Sequence, residues 1–169
     1  AGATQVIQGS SVSLTALPGA DFVFSSWTGP DATSLSNTAI PNPTIVMAGD
    51  YSVTANFVAQ RTLTISATAG GAVTPASPNI AADGTTVTLV ATPQANYTFT
   101  GWSGTNAADL SSPTLTSVTI LMYSNKSVAA TFEPIMRTLT VSAGTGGSAT
   151  PAGATQVIQG SSVSLTALP

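Results

Sequence analysis

The eighteen residues AGATQVIQGSSVSLTALP run from Ala1 to Pro18 and return, letter for letter, from Ala152 to Pro169. A duplicated peptide of this length is not chance. It fixes a period of 152 − 1 = 151 residues, and a fixed period is the sign of repeated supersecondary units that stack to build one architecture. A looser repeat lies inside it. RTLTISATAGGAVTP (Arg61 to Pro75) matches RTLTVSAGTGGSATP (Arg137 to Pro151), 137 − 61 = 76 residues further on. Laying residues 1–60 on residues 76–135 aligns the remainder. Gly9 falls on Gly84, Val12 on Val87, Leu14 on Leu89, Phe24 on Phe99, Trp27 on Trp102, Met47 on Met122, Val53 on Val128 and Phe57 on Phe132.

The unit is therefore a module of about 75 residues, two to each 151-residue period. Residues 1–60 form a module A that lacks its first strand, 61–136 a complete module B, and 137–169 the first half of a further A-type module. Within a module the strand signals are strong. TLTISA and TLTVSA alternate polar and apolar residues with β-branched enrichment, as do SVSLTALP and TVTLVATP, which stop at proline. FVFSSWTG and YTFTGWSG form an aromatic strand ending at glycine. TIVMAGDYSVTANFV and VTILMYSNKSVAATFE read as two strands about a tight turn, at Ala48–Asp50 and Tyr123–Asn125. Residues 30–43 and 105–117 are Ser/Asn/Pro-rich and read as a loop or one short helical turn. No segment sustains a 3.6-residue period, so each module is expected to be a small, mainly β unit.

The order TLTVSA, GG, TP, then glycine before SVSLTALP, an aromatic strand to W-T/S-G and a closing VTANF or VAATF resembles the divergent internalin B-repeat family of bacterial cell-surface proteins. The resemblance spans the whole chain. It implies a compact β-grasp-like module strung in tandem as stalk or adhesive segments of large exported proteins, and it brings no catalytic residues.

Composition narrows the function. Charged residues are only 5% of the chain, where roughly a quarter is usual. The net charge of −3 sets six acids against Arg61, Lys126 and Arg137. Three scattered cations leave no footprint for nucleic acid and no basic patch for a membrane surface. No run approaches the ~18 apolar residues of a spanning helix. Cysteine is absent, which removes disulfides and thiolate chemistry. No signal peptide is visible, so the chain reads as a mature or internal segment.

Candidate chemistry is thin. The acids are Asp21, Asp31, Asp50, Asp83, Asp109 and Glu133. The first three fall on Asn96, Asn106 and Asn125; the others on Gln8, Ser34 and Val58. No carboxylate recurs, and an Asp/Asn exchange keeps turn formation while losing charge. They read as turn residues, with no catalytic, cofactor or metal site expected. Histidine is absent, so a serine nucleophile would lack its usual base. GTGG (Gly144–Gly147) and AGG (Ala69–Gly71) lack the lysine and helix of a phosphate loop and read as hairpin turns. An amide crosslink from Lys126 is disfavoured because Tyr51 stands at its place in module A. Asn96-Tyr97-Thr98 and Asn125-Lys126-Ser127 fit the glycosylation sequon, but such triplets arise easily in Thr/Ser-rich sequence. Trp27 and Trp102 read as the largest fillers of a small core, with sugar stacking as the rival reading.

These features point to a structural, extracellular bacterial surface protein, a stalk or filament block that self-associates end to end and carries no enzyme activity or cofactor. The rival is an ancillary carbohydrate-binding or adhesive module that contacts surface glycans. Two routes build an array. In one, residues 137–151 of one chain supply the missing first strand to residues 1–60 of another. In the other, the chain is a window on a longer covalent array. The second is preferred, because in the first residues 152–169 compete with residues 1–18 for one place.

Overall fold

The computed structural model describes residues 5–169. The chain is mainly β, as the alternation pattern predicts. In order the strands are β1 (Ser11–Ser13), β2 (Phe22–Thr28), β3 (Thr44–Val46), β4 (Thr54–Ala67), β5 (Gly71–Thr74), β6 (Asn79–Ala82) and β7 (Thr85–Pro93). They continue with β8 (Tyr97–Ser103), β9 (Ser117–Met122), β10 (Lys126–Pro134), β11 (Met136–Val141), β12 (Ser148–Thr150), β13 (Gly153–Ile158) and β14 (Thr166–Leu168). The Ser/Asn/Pro-rich stretches each hold one 3-10 turn, Ala32–Ser34 and Ala107–Asp109.

Two compact units are formed. The first comprises residues up to Thr62 with Ile80–Thr85 and Met122–Ser124; the second comprises Leu63–Asn79, Thr86–Leu121 and Asn125–Pro169. In the first, β1 pairs antiparallel with β3, placing Val12 opposite Ile45. There β2 pairs with the start of β4, Phe24 opposite Phe57 and Trp27 opposite Ala55, with a bulge between Phe24 and Ser26. Ala16, Trp27, Leu35 and Ile45 form its buried core, and Val12, Leu14, Phe24, Met47, Tyr51, Val53 and Ala55 pack around them half-covered.

In the second unit the end of β4 runs parallel to β10, Leu63 opposite Lys126 and Ile65 opposite Val128. On its other edge β10 is antiparallel to β8. A separate sheet has the order β5-β7-β9. Period-two alternation turns one face of each strand inward: Leu63 and Ile65, Leu89 and Ala91, Val118 and Ile120, and Val128, Ala130 and Phe132 are all buried. Residues 137–169 add two antiparallel pairs, β11 with β13 and β12 with β14.

Three local expectations are corrected. The tight turns at Ala48–Asp50 and Tyr123–Asn125 do not close hairpins: β9 pairs in the β5-β7-β9 sheet, whereas β10 pairs with β8 and β4. Nor is Ala69–Gly71 a hairpin turn, since β5 pairs with β7. Both strands flanking such a turn carry their own inward apolar set, and that is met by sending them to different sheets. The glycines of AGG serve packing instead. A Cβ on Gly70 would run into the Tyr97 ring, and one on Gly71 into the Phe132 ring. The third correction concerns the strands the alternation missed, β5, β6, β12 and β13, none of whose residues is fully buried.

The duplicated peptide folds in two ways. Its second copy forms β13 and β14, whereas in the first copy residues 5–7 form no strand and Ser11–Ser13 form β1. The sequences are identical, so neighbours decide. β13 lies on β11, and β1 lies on β3.

Burial of the first strand gives a direct test. Leu63 is fully buried and its counterpart Leu139 only half-buried. Leu63→Ala is expected to lower unfolding stability by about 2–5 kcal/mol, and Leu139→Ala to change it by less than about 1 kcal/mol. Urea unfolding followed by tryptophan fluorescence measures both; equal losses would contradict the assignment.

Candidate functional site

The two tryptophans are the most conspicuous side chains, and both are core. Trp27 is 8% and Trp102 6% exposed. Each indole Nε1 donates to a carbonyl in the following loop, Ile40 O at 3.1 Å and Leu115 O at 2.8 Å. The backbone reinforces this pinning, with Trp27 N donating to Thr38 O and Trp102 N to Pro113 O. Phe24 packs against Trp27 in a tilted pair with ring centroids 6.0 Å apart, and Phe99 meets Trp102 edge-on at 5.7 Å. Such indoles fix the loop to the core and present no open face to a sugar ring.

The six acids are dispersed among backbone tasks. Asp21 and its counterpart Asn96 both sit at left-handed φ, 62° and 67°, which short Asx side chains tolerate. Asp31 accepts a bond from Ser52 N at 2.7 Å, and Asn106 does the same for Ser127 N at 2.9 Å. Asp50 and Glu133 are exposed. Asp83 pairs with Arg61, and Asp109 with Lys126. The Asn106 side-chain amide also donates to Asp109. Lys126 is thus occupied as a charged partner of a carboxylate. Among the described residues no group of three His, Cys, Asp or Glu lies close enough to hold a metal ion.

What the geometry does offer is an apolar groove in the first unit. A cavity of about 460 Å³ is lined by Val6, Val12, Ser13, Leu14, Thr15, Ile45, Met47, Tyr51 and Val53. In the central segment the equivalent apolar positions are closed. Leu89, Met122, Val128 and Ala130 are at most 1% exposed, whereas Leu14, Met47, Val53 and Ala55 are half-buried. Phe57 is 36% exposed where Phe132 is 4%. The difference follows the first strand: β4 lies on β10 in one case, and no described strand lies on Tyr51–Ala55 from that side in the other.

A second recurring feature is the border between modules. In the first unit Gln60 N donates to Asp21 O at 2.7 Å, Asp83 N to Ala59 O at 2.7 Å, and Arg61 Nε to Asp83. In the second, Ile135 N donates to Asn96 O at 2.8 Å, Gln159 N to Ile135 O at 2.8 Å, and Arg137 Nε to Gln159 Oε1 at 2.8 Å. One inserted residue, Met136, gives Ile135 both roles that Gln60 and Ala59 divide. Gln159 Nε2 further donates to Asn96 Oδ1 at 3.2 Å, which engages that sequon asparagine within the protein. The border contacts were not legible beforehand, because they depend on strand ends meeting a turn some 22 residues away.

One family model, that of the divergent InlB B-repeat domain, matches residues 1–61, 61–136 and 137–169. No curated protein and no solved structure matches the chain.

The Asp109 pair sets an expectation for pH. The hydrogen bond from Lys126, then that from Asn106, holds the Asp109 carboxyl below the usual carboxylate range. A folded-state pKa below the unfolded one adds stability that is present above about pH 4 and lost as pH falls through the folded value. Asp109→Asn is therefore expected to flatten the loss of thermal stability on acidification from pH 5 to pH 2. An unchanged acid limb in that variant would count against the pair as its source.

Proposed function

The chain belongs to the divergent InlB B-repeat family, and on that premise we propose that it is a structural repeat protein of the bacterial cell surface. It is a building block of an extracellular stalk or filament, joined end to end through β modules at 1–60, 61–136 and 137–169. Its partners are copies of its own module, and it performs no catalysis.

The observation that carries this reading is the repeated border. Two successive borders share one backbone contact, Gln60 N to Asp21 O and Ile135 N to Asn96 O, and each sets an arginine against the equivalent turn, Arg61 with Asp83 and Arg137 with Gln159. A border that reuses the same turn and the same arginine is what a regular array of repeats needs. The weakly charged surface supports it, since Thr- and Ser-coated faces with few charges repel one another little. Among the described residues no helix is long and apolar enough to cross a membrane. The glycan-binding alternative loses its platform, because both indoles are buried and hydrogen-bonded internally.

Electron microscopy of the native material is expected to show surface filaments or stalks with an axial repeat set by two modules. Dispersed particles without axial order, or material confined to the cell interior, would overturn the reading.

A further inference from the structure

Asp83 is followed by Gly84, and no other aspartate or asparagine in the chain precedes glycine. Asp21, Asp31, Asp50 and Asp109 precede Phe22, Ala32, Tyr51 and Leu110 instead. An Asp-Gly pair carries a chemistry of its own. The backbone nitrogen of the second residue can attack the side-chain Cγ of the first and close a five-membered ring, and glycine, lacking a Cβ, hinders that approach least. Here the pair forms the turn between β6 and β7, with Asp83 half-buried and Gly84 exposed.

The fold needs this glycine. Gly84 sits at φ 77°, as Gly9 does at 82° and Gly160 at 80°, a left-handed backbone in which a Cβ is strained. Gly84 N donates to Met122 O at 2.8 Å, and Gly9 N to Met47 O at 2.7 Å. One turn is therefore used in both kinds of module, and only the residue before its glycine changes. Gln8 and Gln159 at that place would have to close a six-membered ring, which forms far more slowly. The Asp83 copy of the turn is the reactive one.

In the folded chain both reacting groups are held. Asp83 Oδ1 accepts from Arg61 Nε, and the Gly84 N–H is spent on Met122 O. Asp83 N, bonded to Ala59 O at 2.7 Å, fixes the backbone on the other side.

We propose that Asp83–Gly84 is a site of spontaneous backbone rearrangement to isoaspartate, and that Arg61 is the residue that holds it shut. Local opening of the turn releases both groups. The Gly84 nitrogen then bonds to Asp83 Cγ, and its proton leaves with the carboxyl hydroxyl as water, giving a succinimide. Water adds back at the Asp83 main-chain carbonyl and breaks its bond to the Gly84 nitrogen. The chain now runs through the Asp83 side chain, with the main-chain carbonyl carbon left as a free carboxylate and the overall composition unchanged. One extra carbon separates Asp83 N from Gly84 N, so the bonds to Ala59 O and Met122 O cannot both be kept. Rearrangement thus loosens the border at Arg61 and leaves the border at Arg137 untouched. None of this depends on whether modules assemble.

The purified chain tests it, held in mildly acidic buffer either folded or in urea, with isoaspartate located by peptide mass spectrometry. In urea Asp83 is expected to rearrange ahead of every other aspartate, and folding should slow it severalfold. Arg61→Ala should raise the folded-state rate at Asp83 severalfold while leaving the rate in urea, and the rate at Asp31 in the folded chain, unchanged. Asp31 serves as the internal gauge of folding, because a variant that merely unfolds speeds both sites together. Another aspartate leading in urea would overturn the site. Equal rates at Asp83 in the folded chain and in urea, an Arg61→Ala rate no faster than the original, or a rise shared by Asp31 would overturn the role of Arg61.

Discussion

The parallel contact between the first strand of a module and its last is the interaction on which the rest depends. A module of about 75 residues has little surface to bury, and its core closes only from both sides. Leu63 and Ile65 arrive at the start of the segment, and Val128, Ala130 and Phe132 arrive some sixty residues later. With both in place, Leu89, Ala91, Val118, Ile120 and Met122 of the central segment are buried as well. Where no described strand lies beside the equivalent residues, Leu14, Met47, Val53 and Ala55 stay half-covered. Stability in such a protein is therefore a property of neighbouring pieces, as in other tandem-repeat architectures.

That dependence explains what the sequence could and could not reveal. Strand positions with clean alternation, such as TVTLVATP and VTILM, were legible because burial on one face dictates period two. The Asp-to-Asn exchanges were legible too, since Asp21 and Asn96 share left-handed backbone and Asp31 and Asn106 accept the same kind of bond. Pairing partners were not. A tight turn between two apolar strands looks like a hairpin, yet Tyr123–Asn125 passes the chain between sheets because each flanking strand has its own inward face to bury. Strands β5 and β13 escaped because they are held by ladder bonds to a partner more than by apolar burial of their own.

The duplicated peptide is the sharpest case. Ala152–Pro169 contains β13 and β14, and the identical Ala1–Pro18 contains β1 among its described residues. Local propensity is the same in both copies and cannot account for the difference. Only the strand alongside can, which is why β-propensity is a statement about neighbours more than about residues.

The borders differ from one another more than the cores do. Core residues match closely between segments, Trp27 with Trp102 and Ile45 with Ile120, so cores alone would let any module follow any other. The border side chains differ. Asp83 can only accept hydrogen bonds, and it serves Arg61. Gln159 at the same place carries both an acceptor and a donor, and it uses the first for Arg137 and the second for Asn96. That second bond has no counterpart at the Asp83 border, because a carboxylate has no N–H to donate to the facing turn. The two borders thus share the bond from Gln60 N or Ile135 N to the facing turn, while their polar side chains differ, Asp83 serving Arg61 and Gln159 serving both Arg137 and Asn96.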